Sequence, residues 1–230
     1  MIEFLENSVF WGAAISLLAY EFGLLLKKKF KMAIFNPLLI AIFCVIGILA
    51  VLGVDYPKYN EGGKYLSYLL TPATVCLAVP LYEQLSLLKK NLKAVAAGII
   101  SGVLASLVSV FLLAKMFQLS HEQYVTLLPK SITTAIGMGV SEELGGIVTI
   151  TVAVIIITGV LGNMIGELVC KIFRIQDPIA KGLALGTSAH AIGTAKAMEL
   201  GEVEGAMSSL AIAVAGLLTV IAASVFAGFM

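Results

Sequence analysis

The chain has 230 residues, 60% of them hydrophobic and only 13% charged, and its formal net charge is +1. Ordinary soluble domains carry about 25% charged residues, so this composition excludes a soluble globular domain. Four windows contain no charged residue, and each reaches the roughly 20 residues that a transmembrane helix needs. These windows are residues 32–54, 94–114, 144–166 and 205–230. The sequence therefore predicts an all-α polytopic membrane protein, with one integral membrane domain over residues 1–230.

The predicted segments follow one another without a low-complexity linker. In chain order they cover residues 8–26, 36–53, 65–88, 94–117, 124–144, 145–173, 185–204 and 205–230. A polar turn, DYPKYNEGGK, separates the second segment from the third. We expect about seven or eight membrane segments, several of them interrupted by proline or glycine. The predicted helix breaks lie at Pro72, Pro80, Pro129, Gly137, Gly186 and Gly193.

Basic residues predict the orientation, because cytoplasmic loops carry an excess of lysine and arginine. Three clusters, within residues 27–31, 89–93 and 171–181, hold ten of the fifteen basic residues. With these clusters in the cytoplasm, the N-terminus is expected outside and the C-terminus inside. The segment at 94–117 then ends outside, and the segment at 145–173 begins outside.

The short segment between those two, residues 124–144, therefore cannot cross the membrane once. We expect it to enter and return, or to form a broken pair of half-helices. Its residues include Pro129, Lys130, Ser131 and Gly137, which suit irregular backbone that is buried against protein.

The seventh segment, LGTSAHAIGTAKAMELGEVE, is polar although its neighbours are apolar. On a helix, Thr187, His190 and Thr194 share one face, and Lys196 and Glu199 form a second close pair. Ionisable groups at membrane depth are costly unless they face protein or water. The segment is therefore predicted to line a polar site inside the membrane.

An offset of 116 residues aligns TPATVCLAVPLYE (71–83) with TSAHAIGTAKAME (187–199), with three identities in thirteen positions. The two stretches run in opposite directions in the predicted topology. We therefore expect an inverted-repeat transporter-like fold with halves at about 1–117 and 124–230, whose interruptions meet near the midplane.

Three blocks, LLTPATVCLAVPLYEQ, LLPKSITTAIGMGVSEELGG and GLALGTSAHAIGTAKAMELGEVEGAMSSLAI, resemble the signature blocks of the LrgB/CidB family over nearly the whole chain. The resemblance implies a multi-pass protein of the bacterial plasma membrane. Its implied fold is like the cation:proton antiporter and bile-acid transporter group. The older family description is an antiholin-like regulator of murein hydrolase export and autolysis, acting beside a small holin-like LrgA/CidA protein.

The plastid members of the family exchange glycolate and glycerate, and bacterial members are linked to pyruvate and other short hydroxy- and oxo-acids. This chain lacks the extra N-terminal membrane domain of the plastid members, which implies a separate small membrane partner. Two function classes follow. One is an elevator-type secondary transporter of small monocarboxylates, with proton coupling as an option; the alternative is the antiholin-like regulator.

For the transporter, the site is predicted between the two interruptions, because a buried carboxylate needs several donors and a compensating charge. Lys130 or Lys196 would supply that charge. The predicted substrate-binding residues are Thr71, Thr74, Lys130, Ser131, Thr187, Ser188, His190, Thr194 and Lys196.

Proton coupling is assigned to His190, whose ordinary pKa is about 6.5, and to Glu83 and Glu199. These three residues and Lys196 each have a structural alternative. His190 could be a hydrogen-bonded structural histidine, Lys196 could reach towards an interface, and the two glutamates could cap segment ends near the headgroups.

The remaining expectations are negative or concern assembly. Cys44, Cys76 and Cys170 are an odd number without CxxC spacing, so neither a disulfide framework nor a metal site is expected. The sequence predicts no enzyme activity, no cofactor and no nucleic-acid partner. Its expected partners are the lipid bilayer, a small organic anion, the small membrane protein and a second copy in a homodimer.

Overall fold

The computed structural model describes residues 10–30, 32, 35–76 and 78–230, without the side chains of Leu70, Thr71 and Thr74. Regular secondary structure in these ranges is entirely α-helical, which confirms the predicted all-α class. The chain divides into two compact units, Met1–Cys76 and Leu77–Met230.

The first unit contains α1 (Trp11–Phe30), α2 (Pro37–Leu52), α3 (Tyr56–Ser67) and α4 (Leu70–Cys76). Helix α1 packs against both α2 and α3, and Ser16 Oγ lies 2.8 Å from the Tyr59 hydroxyl. Asn36 caps α2 by accepting hydrogen bonds from two backbone N–H groups. The stretch expected as a polar turn is the helix α3 instead. Its proline lies at the first turn, where the missing N–H has no intrahelical partner to lose.

The second unit contains the remaining helices. They are α5 (Ala78–Glu83), α6 (Leu85–Lys90), α7 (Leu92–Met116), α8 (His121–Leu127), α9 (Thr134–Glu143), α10 (Val148–Ile172), α11 (Pro178–Leu200) and α12 (Glu202–Ala227). Within the described residues, α7, α10 and α12 are long and apolar enough to cross a membrane. Their composition agrees with the predicted membrane protein.

The core of this unit lies between α7, α12 and the α8–α9 segment. One stripe of α7 is buried at helical spacing, through Val95, Ile99, Val103 and Leu107. Beside this stripe, α7 keeps large apolar side chains such as Leu104 exposed. A long helix with one buried apolar stripe and exposed apolar side chains next to it fits a membrane span that contacts both protein and lipid.

Helices α8 and α9 fold back on each other to form a hairpin, which we call hairpin 1 (His121–Glu143). Its turn contains Pro129, Lys130 and Ser131. Thr151 of α10 contacts both arms at one level: its hydroxyl lies 2.9 Å from the carbonyl oxygen of Thr126 and 2.7 Å from the hydroxyl of Ser141. The segment predicted as a broken pair of half-helices therefore has that form.

Helix α11 is a second hairpin, which we call hairpin 2 (Pro178–Leu200). His190 has φ 42° and ψ −137°, and the chain reverses there. A methyl group added at Gly193 would lie 2.6 Å from the carbonyl oxygen of Leu185. In a straight helix, residues eight positions apart are separated by about 12 Å along the axis, so the two arms must lie side by side.

Contacts with α10 confirm the reversal. Leu185 of the first arm packs against Gly166 of α10. Lys196 of the second arm forms an ion pair of 3.2 Å with Glu167, the next residue of α10. Both arms therefore pass the same level of α10. The segment expected to run across the membrane once returns to the end from which it started.

This reversal changes the expected position of the C-terminus within the unit. Helix α12 starts at the end where α10 finishes and runs parallel to α7, so that Phe229 packs on Phe111 near the end of α7. The carbonyl oxygen of Met230 lies 2.6 Å from Nδ1 of His121. The C-terminus thus lies at the end of the unit opposite Lys89 and Lys93. It lies there because hairpin 2 returns to the end at which it began, and the predicted cytoplasmic side of the C-terminus stays a prediction.

Candidate functional site

Both hairpins contact Ile155, which is completely buried in α10. The ring of His190 at the turn of hairpin 2 places Nε2 3.0 Å from the Ile155 carbonyl oxygen. The side chain of the same residue packs against Gly137 of hairpin 1. The hairpins thus enter from opposite ends of the unit, and their turns converge in its middle.

A cavity of about 900 Å³ lies beside these turns. Its lining combines α7 with both hairpins and includes Ser106, Lys130, Ser131, Thr187 and Ser188. A cavity of this size exceeds what a molecule of a few heavy atoms requires, and ligand pockets generally span about 300–1,000 Å³.

Hairpin 1 contributes a chain of polar groups to the cavity. Lys130 Nζ donates a hydrogen bond of 2.9 Å to Ser131 Oγ, and Ser106 Oγ of α7 donates one of 3.1 Å to the same oxygen. Helix α9 begins at Thr134, so its unpaired N–H groups and positive dipole end also lie near this turn. This part of the lining favours an anion.

Hairpin 2 contributes hydroxyl groups from its first arm. Thr187 Oγ1 and Ser188 Oγ donate to carbonyl oxygens one turn earlier in their own arm, at 2.8 Å and 2.6 Å. Thr187 is buried against Gly102 of α7, where a methyl group would lie 2.6 Å from the threonine hydroxyl. Glycine at this position therefore allows hairpin 2 to approach α7 closely.

The two candidate lysines differ in their electrostatic partners. Lys196 forms ion pairs with Glu167 and Glu199 at 3.2 Å and 3.3 Å, and its side chain is only 18% exposed. Within the described residues, no carboxylate lies at ion-pair distance from Lys130, whose bond goes to a hydroxyl. Lys130 therefore brings a net positive charge to the cavity, whereas Lys196 is already neutralised by two carboxylates.

His190 and Thr194 lie outside the lining of the cavity. His190 is 3% exposed. Thr194 Oγ1 bonds to the His190 carbonyl oxygen at 3.1 Å and to Ser208 Oγ of α12 at 2.7 Å. Asn163 of α10 donates to the carbonyl oxygen of Ile192 at 2.9 Å. These bonds hold the reversed backbone of hairpin 2 in place.

The other predicted residues lie elsewhere. Glu83 is exposed at the end of α5. Thr71 and Thr74 belong to α4, and their side chains lie outside the described part of the structure. Pro72 and Pro80 occupy the first turns of α4 and α5.

The three glycines predicted as breaks, Gly137, Gly186 and Gly193, lie inside helical arms and provide close contacts instead. The reversal of hairpin 2 falls at His190. A residue with a β-carbon is strained at positive φ, and the surrounding hydrogen bonds hold it there.

The contribution of α7 was not predicted from the sequence. Small residues of this helix face the cavity at helical spacing, namely Ala94, Gly98, Ser101, Gly102, Ala105, Ser106 and Ser109. A stripe of small and hydroxyl side chains in an otherwise apolar span is a readable signal, since small residues allow close packing in membranes.

Comparisons with known proteins identify the family. The family model described as LrgB-like family matches residues 16–229. The chain is 42% identical to the antiholin-like protein LrgB of Bacillus subtilis (strain 168) over 220 residues, which cover 95% of each chain. It is 41% identical to the proteins of the same name from Bacillus cereus (strain B4264) and Bacillus anthracis (strain CDC 684 / NRRL 3495), over 96% of each chain. No solved structure matches this chain. The chain therefore belongs to the LrgB-like family.

Proposed function

We propose that this protein has the antiholin-like role for which its relatives are named. In this role it acts beside a small holin-like membrane protein of the LrgA/CidA kind and regulates murein hydrolase export and autolysis. The supporting observation is the 42% identity to a protein named antiholin-like, which extends over 95% of both chains. The proposal includes no catalysed reaction and no cofactor.

Complementation tests this role. The chain is expressed in a Bacillus subtilis strain that lacks its own LrgB, and the rate of autolysis is followed by turbidity. Restoration of the wild-type rate is expected. If the Bacillus subtilis protein restores the rate and this chain, at equal membrane levels, does not, the proposed role is wrong.

We also propose a molecular activity, the secondary transport of small monocarboxylates. A specific observation favours it: two hairpins enter from opposite ends and their turns flank a cavity that holds an unneutralised lysine. Non-helical backbone at membrane depth is tolerated where it is buried in protein or lines a cavity. Transporters commonly bind substrates near the midplane at such interruptions.

In this proposal the carboxylate of the substrate binds to Lys130 and replaces the hydrogen bond that the lysine now gives to Ser131. The hydroxyl groups of Ser106 and Ser131 then donate hydrogen bonds to the carboxylate oxygens. The hydroxyl or keto oxygen of the substrate lies towards Ser188 of hairpin 2. Charge-assisted hydrogen bonds of this kind are about twice as strong as neutral ones.

Thr71 and Thr74 belong to the first unit, and their role as ligands stays a prediction from the sequence. Lys196 is proposed as a structural ion-pair partner, because its charge is already neutralised.

His190 is proposed as the coupling group. If Nε2 carries a proton and donates to the Ile155 carbonyl oxygen, Nδ1 is the nitrogen that takes up a second proton. Protonation would then add charge at the turn of hairpin 2 without breaking this bond. Glu83 and Glu199 stay proposed as secondary coupling groups, although Glu199 already pairs with Lys196.

The proposed topology places the basic end of the second unit in the cytoplasm. The pairs α7 with hairpin 1 and α10 with hairpin 2 then form two inverted repeats, a division that differs from the halves expected from sequence. The total of about seven or eight membrane segments, the elevator-type mechanism and the homodimer remain part of the proposal.

Uptake by purified protein in proteoliposomes tests the transport activity. Radiolabelled glycolate, glycerate and pyruvate are offered with and without a pH gradient, and acetate and succinate serve as size and charge controls. Saturable uptake of at least one hydroxy- or oxo-acid is expected. Uptake equal to that of protein-free liposomes for every acid would refute transport and leave the antiholin-like role standing.

A further inference from the structure

A second pocket, separate from the polar cavity, lies at the basic end of the second unit. It has a volume of about 260 Å³ and is built where α10 ends and hairpin 2 begins and returns. Its lining consists of Glu167, Cys170, Lys171, Arg174, Ile175, Gln176, Lys181 and Leu200. We propose that this pocket binds the phosphate group of an anionic membrane phospholipid.

The charge of the pocket favours a phosphate. Among the described residues that line it, three are cationic, Lys171, Arg174 and Lys181, and one is acidic, Glu167. That carboxylate is already shared, because it lies 2.9 Å from Lys171 Nζ and 3.2 Å from Lys196 Nζ. The positive charges therefore exceed the negative one, and a phosphate oxygen can accept hydrogen bonds from both lysines and the guanidinium.

The backbone at the end of α10 directs the arginine to this position. Arg174 adopts φ 56°, and the Arg174 and Ile175 N–H groups bond to the carbonyl oxygens of Lys171 and Cys170 at 3.2 Å and 2.8 Å. This is the Schellman pattern of helix ends, in which the left-handed position is usually glycine. An arginine here is strained, since a β-carbon disfavours the left-handed region, yet it brings the guanidinium to the pocket.

The surroundings favour a lipid over a free phosphate ion. Ile172 and Phe173, at the end of α10, are 64% and 72% exposed, and Leu168 one turn earlier is also exposed. Acyl chains can lie along this apolar surface while the headgroup occupies the basic pocket. Basic pockets between helices at the cytoplasmic side are a recurrent way to bind phospholipid headgroups.

The position of the pocket gives the bound lipid a structural effect. Lys181 lies in the first arm of hairpin 2 and Leu200 ends the second arm, and both line the pocket. A phosphate bound there would contact the base of hairpin 2 and the end of α10 together. It would therefore stabilise the position of hairpin 2 against α10.

Lipid retention tests the proposal on the full chain. The purified protein in detergent is titrated with phosphatidylglycerol or with phosphatidylcholine, and bound lipid is counted by native mass spectrometry. The triple variant Lys171→Gln, Arg174→Gln, Lys181→Gln is compared with Lys89→Gln, Lys90→Gln, Lys93→Gln. The control variant removes the same charge from exposed positions at the same end of the unit.

We expect the wild-type protein and the control variant to retain phosphatidylglycerol in preference to phosphatidylcholine. We expect the pocket variant to bind phosphatidylglycerol on the order of a hundredfold more weakly. Glu167→Gln disturbs the same ion pairs but leaves all three cations, so it should bind phosphatidylglycerol at least as tightly as wild type. This result would show that the weaker binding of the pocket variant comes from its lost cations and not from broken ion pairs. Equal retention by the two triple variants would overturn the proposal. Displacement of the lipid by millimolar inorganic phosphate would show that the pocket is a site for free phosphate and would overturn the lipid assignment.

Discussion

Replacement of Lys130 by methionine tests the anion site of the second unit most selectively. The substitution keeps an unbranched side chain of similar length and removes the positive charge from the turn of hairpin 1. Its hydrogen bond to Ser131 is 2.9 Å long, and in the proposed complex a carboxylate takes the place of this partner. A hydrogen bond to a charged group contributes about 1.5–3 kcal/mol. At about 1.4 kcal/mol per factor of ten, the KM for a monocarboxylate should rise roughly 10- to 150-fold.

The matched control is Lys196→Met, which removes the other candidate lysine. Lys196 pairs with Glu167 and Glu199, so its loss leaves two carboxylates without this partner and is expected to lower thermal stability rather than affinity. Lys130→Arg keeps the charge and should retain most of the affinity. Uptake is measured in proteoliposomes with equal amounts of inserted protein. A wild-type KM for Lys130→Met, together with a raised KM for Lys196→Met, would refute the assignment.

Three further predictions concern the two hairpins. Gly186→Ala should lower the melting temperature, because its methyl group would lie 2.6 Å from the backbone oxygen of Ser208; Gly139→Ala, which meets no atom within 4 Å among the described residues, should be neutral or slightly stabilising. Thr151→Val removes the hydroxyl that contacts both arms of hairpin 1 and should cost about 1–3 kcal/mol of unfolding free energy, measured by thermal denaturation in detergent; an unchanged melting temperature would contradict this. His190→Ala should abolish the dependence of uptake on a pH gradient while the protein still inserts, and gradient-dependent uptake at the wild-type level would exclude His190 as the coupling group.

The sequence predicted hairpin 1 but not hairpin 2, and the difference has a physical reason. Residues 124–144 lie between two apolar segments whose ends the lysines place on one side, and they contain Pro129, so an even number of passes was required. Hairpin 2 reverses at His190, which is neither glycine nor proline. Its whole length of 23 residues also equals that of an ordinary membrane span. Only the contacts of its second arm with α10 and α12 distinguish the two arrangements.

The sequence predicted part of the polar site, and the rest depended on contacts between helices. Lysine, serine and threonine inside apolar segments are visible in sequence, and Lys130, Ser131, Thr187 and Ser188 do line one cavity. The spacing already placed Glu199 beside Lys196, but the choice between Lys130 and Lys196 also depended on carboxylates from other helices. The Glu167 partner is 29 positions away in the chain from Lys196, so spacing along one helix could not reveal that pair.

The most direct test of this account is the side of the membrane reached by each end of hairpin 2. Single cysteines replace Gln176, Glu202 and Glu122, all exposed, in a chain whose native cysteines are changed to serine. A membrane-impermeant maleimide is then applied to right-side-out and inside-out vesicles. We expect positions 176 and 202 to react from one side and position 122 from the other. Labelling of positions 176 and 202 from opposite sides would show that this segment crosses the membrane, and would contradict the two-hairpin arrangement.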